Sequence, residues 1–207
     1  MRILLLSPHT DDVELGAGAS VSRFVREGHE IKWIAFSSCE SSLPSGFAKG
    51  QLRGEFEESA KVLGIKDITC MDFSNRTFLG GRQKILDKLI EVKKDFSPEL
   101  ILCPSRSDLH QDHQVVFEEA FRAFKKSSSI LGYEEPWNNL EFKPSFFQKV
   151  TEEDMNKKLL ALSKYETQGT LSRNYFDEDF IKGLGRVRDV QCNSLFAEAF
   201  EVYRWIQ

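Results

Sequence analysis

Paired cysteines are missing from this chain. Its four, Cys39, Cys70, Cys103 and Cys192, share no short spacing, which excludes a cysteine-built metal site and a disulfide framework. Each falls in or beside a strand-like stretch, so they read as buried free thiols in a reducing cytoplasm. Long hydrophobic runs are also missing. No apolar run exceeds five residues, far short of the roughly 20 that a membrane span needs. Met1 to Ser7 is too short for a signal peptide and is followed at once by carboxylates, so it reads as a first buried strand. Positive charge is not in excess: 28 Lys and Arg against 32 Asp and Glu leave a net charge of −4. That lacks the basic footprint of a nucleic-acid binder. There are no internal repeats and no low-complexity tract. Histidine is scarce, with four in 207 residues, and three of them sit in two short loops.

What is present is an alternation of strand and helix signals. Residues 2–7 form a continuous apolar run, as a strand buried on both faces requires. Apolar positions from Leu15 to Glu27 recur at helical spacing, and Gly28 stops that helix. Ile31 to Phe36 reads as strand two, Ser37 to Gly50 as a long polar loop, and Phe56, Ala60 and Leu63 as a helix ending at Gly64. Ile68 to Met71 is a third strand. Ile85, Leu86, Leu89, Ile90 and Val92 mark a helix that Pro98 closes, and strand four begins at Glu99. Val115 to Phe124 is a fourth helix. Beyond Lys126, Ile130 to Tyr133 and Phe146 to Val150 read as edge strands, Glu152 to Tyr165 as a helix, and Phe196 to Tyr203 as a late strand. The class is α/β: a single Rossmann-like domain over 1–207, with a mostly parallel sheet flanked by helices. Right-handed crossovers predict the order 3-2-1-4 with extra edge strands.

That order makes strands one and four neighbours at the topological switch point, where open α/β sheets hold their ligands. The two histidine loops follow those strands. Pro8-His9-Thr10-Asp11-Asp12-Val13-Glu14 follows the first, and His110-Gln111-Asp112-His113-Gln114 the second. His9, Asp12 and His113 supply the three protein ligands of a catalytic zinc site. A His2Asp set also suits iron(II) or another divalent ion. Asp11 is then free to take a proton from water, and His110 to stabilise an oxyanion or protonate a leaving amine. Asp112 is expected to orient the His110 ring. Asp11, Asp12 and Asp112 could each instead cap a helix, and His29 reads as a plain loop residue. Substrate-side candidates are Arg53, Ser38, Glu40, Arg106, Asp108 and Gln168, with Trp137 and Tyr133 as sugar-stacking aromatics.

Ser7 to Gly16 resembles the first motif of the PIG-L/LmbE-like zinc de-N-acetylases, and His110-Gln111-Asp112-His113 resembles their second. Weaker likenesses follow in order: Arg53 to Ile65, Lys157 to Gln168, and Phe196 to Phe200. The resemblance spans nearly the whole chain. It implies a Rossmann-like sheet and removal of an N-acetyl group from an N-acetylglucosamine-type sugar, which is small or part of a glycan. It also implies zinc on His9, Asp12 and His113, with Asp11 as base and His110, backed by Asp112, as oxyanion or amine partner. Thr10 stands where the family has proline, and Ala19 where it has a second glycine. Two rival readings remain. One is a zinc amidase acting on a sugar–thiol conjugate or another amide. The other is a non-catalytic nucleotide- or sugar-nucleotide-binding module, for which Gly16-Ala17-Gly18-Ala19-Ser20 is a poor phosphate loop. Nothing in the sequence supports a homo-oligomer.

Overall fold

The computed structural model describes residues 1–206. Its strands are β1 (Arg2–Ser7), β2 (Glu30–Ala35), β3 (Asp67–Cys70), β4 (Leu100–Pro104), β5 (Ser129–Tyr133), β6 (Phe146–Val150) and β7 (Phe196–Arg204). They form one sheet in the order β3-β2-β1-β4-β5-β7-β6. The first five pair in parallel; β7 runs antiparallel between β5 and β6. The expected order 3-2-1-4 is therefore present. Ile130 to Tyr133 is not an edge strand, because β7 returns along it and leaves β6 as the edge.

The helices are α1 (Asp12–Arg26), α2 (Gln51–Leu63), α3 (Phe78–Phe96), α4 (Gln111–Phe124), α5 (Glu152–Leu162), the single turn α6 (Glu166–Gly169) and α7 (Glu178–Cys192). They cover both faces of the sheet. Along β1, side chains alternate between two cores. Ile3 and Leu5 pack with Trp33, Phe56 and Leu63, whereas Leu4 and Leu6 pack with Leu89, Val116 and Phe124. That two-sided burial is why β1 reads as an unbroken apolar run. A third cluster joins α1, α5 and α7 through Leu15, Ala19, Met155 and Ile181.

Two features fix α1, the helix that launches the first histidine loop's carboxylates. At Gly16 an added Cβ would lie 2.5 Å from Tyr133 Cδ2, so only glycine lets the helix sit this close to β5. Tyr133 is buried there and donates to the Leu6 carbonyl at 3.0 Å. It is part of the core and not a sugar platform. Further along, the buried Lys158 and Glu198 pair at 2.7 Å. Lys158 Nζ also donates to the Leu15 carbonyl, while Glu198 accepts from the Ala19 and Ser20 amides. Leu15 C=O and Ala19 N–H are partners in a regular helix, so the ion pair is stitched into α1 at one rung. The Glu of β7 and the Lys of α5 thus hold the helix from the side.

Candidate active site

β1 ends at Ser7 and α1 begins at Asp12; β4 ends at Pro104 and α4 begins at Gln111. Since β1 and β4 are hydrogen-bonded neighbours, their following loops meet above the sheet. His9 Nδ1 lies 3.2 Å from His113 Nε2, and Asp12 Oδ2 lies 3.5 Å from each of those nitrogens. A tetrahedral ion with ligands at about 2.0–2.1 Å needs donors about 3.3 Å apart. The donor set therefore fits a small tetrahedral divalent cation. His110 and Glu135 also bring a nitrogen and an oxygen within 4.8 Å of members of this group.

The electrostatics agree with that fit. Burial alone would lower the His9 pKa, but the facing Asp12 and Asp112 carboxylates push it up to about 10. Burial alone would raise Asp12, but His113 and His9 override it and hold Asp12 well below the ordinary carboxylate range. The pocket stabilises positive charge between these side chains.

The ring nitrogens that face away from the triad are held by carboxylates. His9 Nε2 meets Asp112 Oδ2 at 3.1 Å, and the Arg76 and Phe78 amides donate to the same carboxylate. His113 Nδ1 meets Asp108 Oδ2 at 2.8 Å, with Glu135 Oε2 at 3.6 Å. Such partners fix tautomer and orientation. The expectation that Asp112 orients the His110 ring is thus corrected. Residue 112 lies in the first turn of α4, and its side chain points across to the β1 loop. Asp108, expected to contact sugar, is 1% exposed and lies behind His113.

Capping does not account for the acidic residues. Asp11 is the N-cap of α1, yet its side chain makes no capping bond. Asp12 accepts from the His9 amide at 2.6 Å, outside the helix. The cap of α4 is His110, whose Nδ1 accepts from the Asp112 amide at 3.2 Å. Burial and the neighbouring Asp12 raise the Asp11 pKa to about 6. Burial, with His113 and His9 beside it, lowers His110 to about 4. His110 is therefore neutral at pH 7. Because its Nδ1 accepts a backbone N–H, its proton sits on Nε2.

A cavity of about 270 Å³ opens over these groups, and His9, Asp11, Asp12, His110 and His113 line it. Of the substrate-side candidates, Gln168 and Trp137 line it too, and Gln168 Oε1 is buried with no hydrogen-bond donor. The others do not. Arg53 reaches sideways to the Cys70 carbonyl at 2.6 Å and to Asp72 at 2.7 Å. Arg106 is exposed beyond β4, and its amide donates to the Tyr203 hydroxyl at 2.7 Å. Ser38 is buried off the cavity, and Glu40 receives the Gly50 amide at 3.1 Å. Among the lining residues that the sequence did not single out are Arg76 after β3, Glu135 after β5, and Arg173 and Tyr175 between α6 and α7. Only Glu135, two residues past a strand end, carried any signal of a loop at the ligand-binding edge.

The family model for GlcNAc-PI de-N-acetylase, PIG-L, matches residues 4–124. The chain is a member of the PIG-L family. The match contains both histidine loops and stops at the end of α4. The chain is also 30% identical over 170 residues to an Escherichia coli K12 protein described as an uncharacterized deacetylase, YaiS, covering 80% of this chain and 90% of that one. Among solved structures, the N,N'-diacetylchitobiose deacetylase of Pyrococcus horikoshii superposes with a TM-score of 0.82 at 19% identity, covering 97% of this chain and 83% of that one. The 4-carboxy-2-hydroxymuconate hydratase GalB of Pseudomonas putida KT2440 superposes with a TM-score of 0.83 at 19% identity, covering 100% of this chain and 97% of that one. At those identities the two structures share its fold. This PIG-L protein is a deacetylase by family, built on a scaffold that also carries other chemistry. Among the described residues, no helix is long and apolar enough to cross a membrane.

Proposed function

We propose that this PIG-L protein hydrolyses the N-acetyl group of an N-acetylglucosamine-type amino-sugar, with a zinc ion on His9, Asp12 and His113. The observation that carries the reading is the set of three donor atoms 3.2–3.5 Å apart beside the Asp11 carboxylate, which makes no capping bond and lines the same cavity. A divalent cation supplies a water acidified to a pKa of about 7 and a Lewis acid for the acetamide carbonyl. Asp11 accepts the proton of the attacking water as its oxygen bonds to the carbonyl carbon. His110 Nε2–H donates to the oxygen that gains charge. Asp11 then returns its proton to the nitrogen as the C–N bond breaks, and acetate and the free amine leave. Asp112 and Asp108 hold the two ligand imidazoles in register throughout. All four cysteines are free thiols, which supports a reducing, cytoplasmic compartment.

Acetate release from N-acetylated amino-sugars by zinc-loaded protein tests the proposal. Asp11→Ala is expected to retain the metal and lose at least about 100-fold in kcat. His113→Ala is expected to lose metal, read by elemental analysis. An active Asp11→Ala enzyme, or unchanged zinc in His113→Ala, contradicts these assignments. Amide substrates other than N-acetyl sugars, in the same panel, separate the deacetylase from a sugar–thiol amidase.

A further inference from the structure

Tyr165 stands just before α6, outside the residues 4–124 that the family model matches. It is buried, and its ring lies edge-on to Phe176 with centroids 6.3 Å apart. Its hydroxyl reaches back 155 positions into the first histidine loop and donates to the Thr10 carbonyl at 2.7 Å. The same hydroxyl lies 2.7 Å from Glu14 Oε1, one turn into α1. Ser59 on α2 donates to that glutamate oxygen as well, at 2.5 Å. Three helical segments therefore meet at one tyrosine oxygen beside the active site.

The carbonyls of this loop are tied down in sequence. Ser7 and Pro8 accept from the Phe36 and Ser37 amides, just past β2, at 2.9 and 3.1 Å. Asp11 accepts from the Leu15 amide of α1 at 3.1 Å. Thr10 is the link between the part anchored to the sheet and the part anchored in the helix, and Tyr165 holds it. That link decides where Asp11 points. Asp11 has φ −104° and ψ −8°, close to the sparsely allowed bridge region where many active-site residues sit. Its carboxylate makes no capping bond and lines the cavity, so the backbone that carries it sets its direction. The Thr10 carbonyl and the Asp11 amide belong to one planar peptide. Fixing the carbonyl fixes the plane from which the Asp11 side chain departs.

We propose that Tyr165 is a positioning residue for Asp11: its hydroxyl locks the Thr10–Asp11 peptide and so aims the Asp11 carboxylate at the attacking water. The proposal rests on the de-N-acetylase reading above, in which Asp11 is the base. Proton transfer tolerates little drift, and a misplacement of about 1 Å can cost about 100-fold in rate. The metal donors are held by other bonds: His9 by Asp112, and Asp12 by the His9 amide. Loss of the Tyr165 hydroxyl therefore frees Asp11 and leaves those donors in place. Threonine at position 10 leaves the φ of the loop open, whereas proline would fix it. The φ of Thr10 is negative, and among the described residues its amide has no backbone acceptor. Proline at this position would supply covalently the stiffness that Tyr165 supplies by a hydrogen bond.

The test compares the zinc-loaded full chain with its Tyr165→Phe variant. The substrate is whichever of N-acetylglucosamine, N-acetylglucosamine 1-phosphate and N,N'-diacetylchitobiose the unmodified chain hydrolyses fastest. The substitution removes one oxygen and keeps the ring, so the chain still folds, which a urea melt checks. The expected result is a fall in kcat of roughly ten- to a hundredfold, with KM and zinc content close to those of the unmodified chain. Thr10→Pro, added to Tyr165→Phe, is expected to recover part of kcat. Ser59→Ala removes the other donor to Glu14 and leaves Thr10 untouched, so it is expected to lower the urea midpoint with kcat unchanged. An unchanged kcat in Tyr165→Phe overturns the proposal, and so does an equal fall in Ser59→Ala. If the unmodified chain releases acetate from no sugar, the de-N-acetylase reading fails, and hydrogen–deuterium exchange of metal-free protein decides the role of Tyr165. Faster exchange over residues 7–15 in Tyr165→Phe, absent from Ser59→Ala, supports the lock on the loop; equal exchange in all three proteins overturns it.

Discussion

The two proposed ligand histidines each have a buried carboxylate behind them. His9 leans on Asp112 and His113 on Asp108. Asp108→Ala is expected to weaken metal affinity about 10- to 100-fold while the fold survives, measured by competition with a chelator. As the proposed base Asp11 must be deprotonated, and burial and Asp12 raise its pKa to about 6. As pH falls through about 6, kcat/KM is therefore expected to drop. A cation bound to Asp12 pulls that limb to lower pH. A limb centred well above 7 would point to a different base. At this scale the sequence was most legible where a residue type is rare. Three of four histidines in two loops stand out, whereas one buried glutamate, Glu135, is invisible among 32 acidic residues. The side to which Asp112 points depends on where α4 begins relative to β1, and no local pattern encodes that.

Between elements, α1 is the part whose placement matters most. Its first turn carries Asp12, and it is fixed by the approach at Gly16 and by the Lys158–Glu198 pair. Gly16→Ala puts a methyl 2.5 Å from Tyr133 and is expected to cost about 1–3 kcal/mol in a denaturant melt. Lys158→Met leaves Glu198 buried and unpaired and is expected to cost about 3–5 kcal/mol; replacing both residues by apolar ones should recover part of that loss. Helices with an unbroken apolar stripe, such as α1 and α4, were readable from periodicity. α7 was not, because its buried positions are only Ile181, Gly185 and Asp189, while Val187 and Val190 face outward. Arg53 looked like a cavity residue because it follows the long loop. Its side chain instead runs back to the end of β3.

For the whole molecule, the order β3-β2-β1-β4 follows from strand–helix alternation joined by right-handed crossovers. The insertion of β7 between β5 and β6 does not, since it depends on a return through α5, α6 and α7. Global stability should also show a pH signature of the core. Glu14 is fully buried under α2 and α5, with Ser59 and Tyr165 donating to it, and burial raises its pKa to about 8. The folded state then holds a proton that the unfolded chain releases near 4.5. The stability Glu14 contributes is complete below about 4.5 and is lost as pH rises towards 8. Glu14→Gln is expected to flatten this slope, seen by comparing urea melts at pH 5 and pH 8.

His9 and His113 are 104 positions apart in sequence and 3.2 Å apart in space. During synthesis, the first histidine loop leaves the ribosome long before its partner, carrying only two of the three donors. On the proposed ligand set, a divalent ion can be captured tightly only after β4 has docked beside β1. Once captured, it rivets the first strand of the molecule to its middle. Peeling β1 from the sheet, by a pulling force or ahead of a protease, must then break coordination bonds as well as hydrogen bonds.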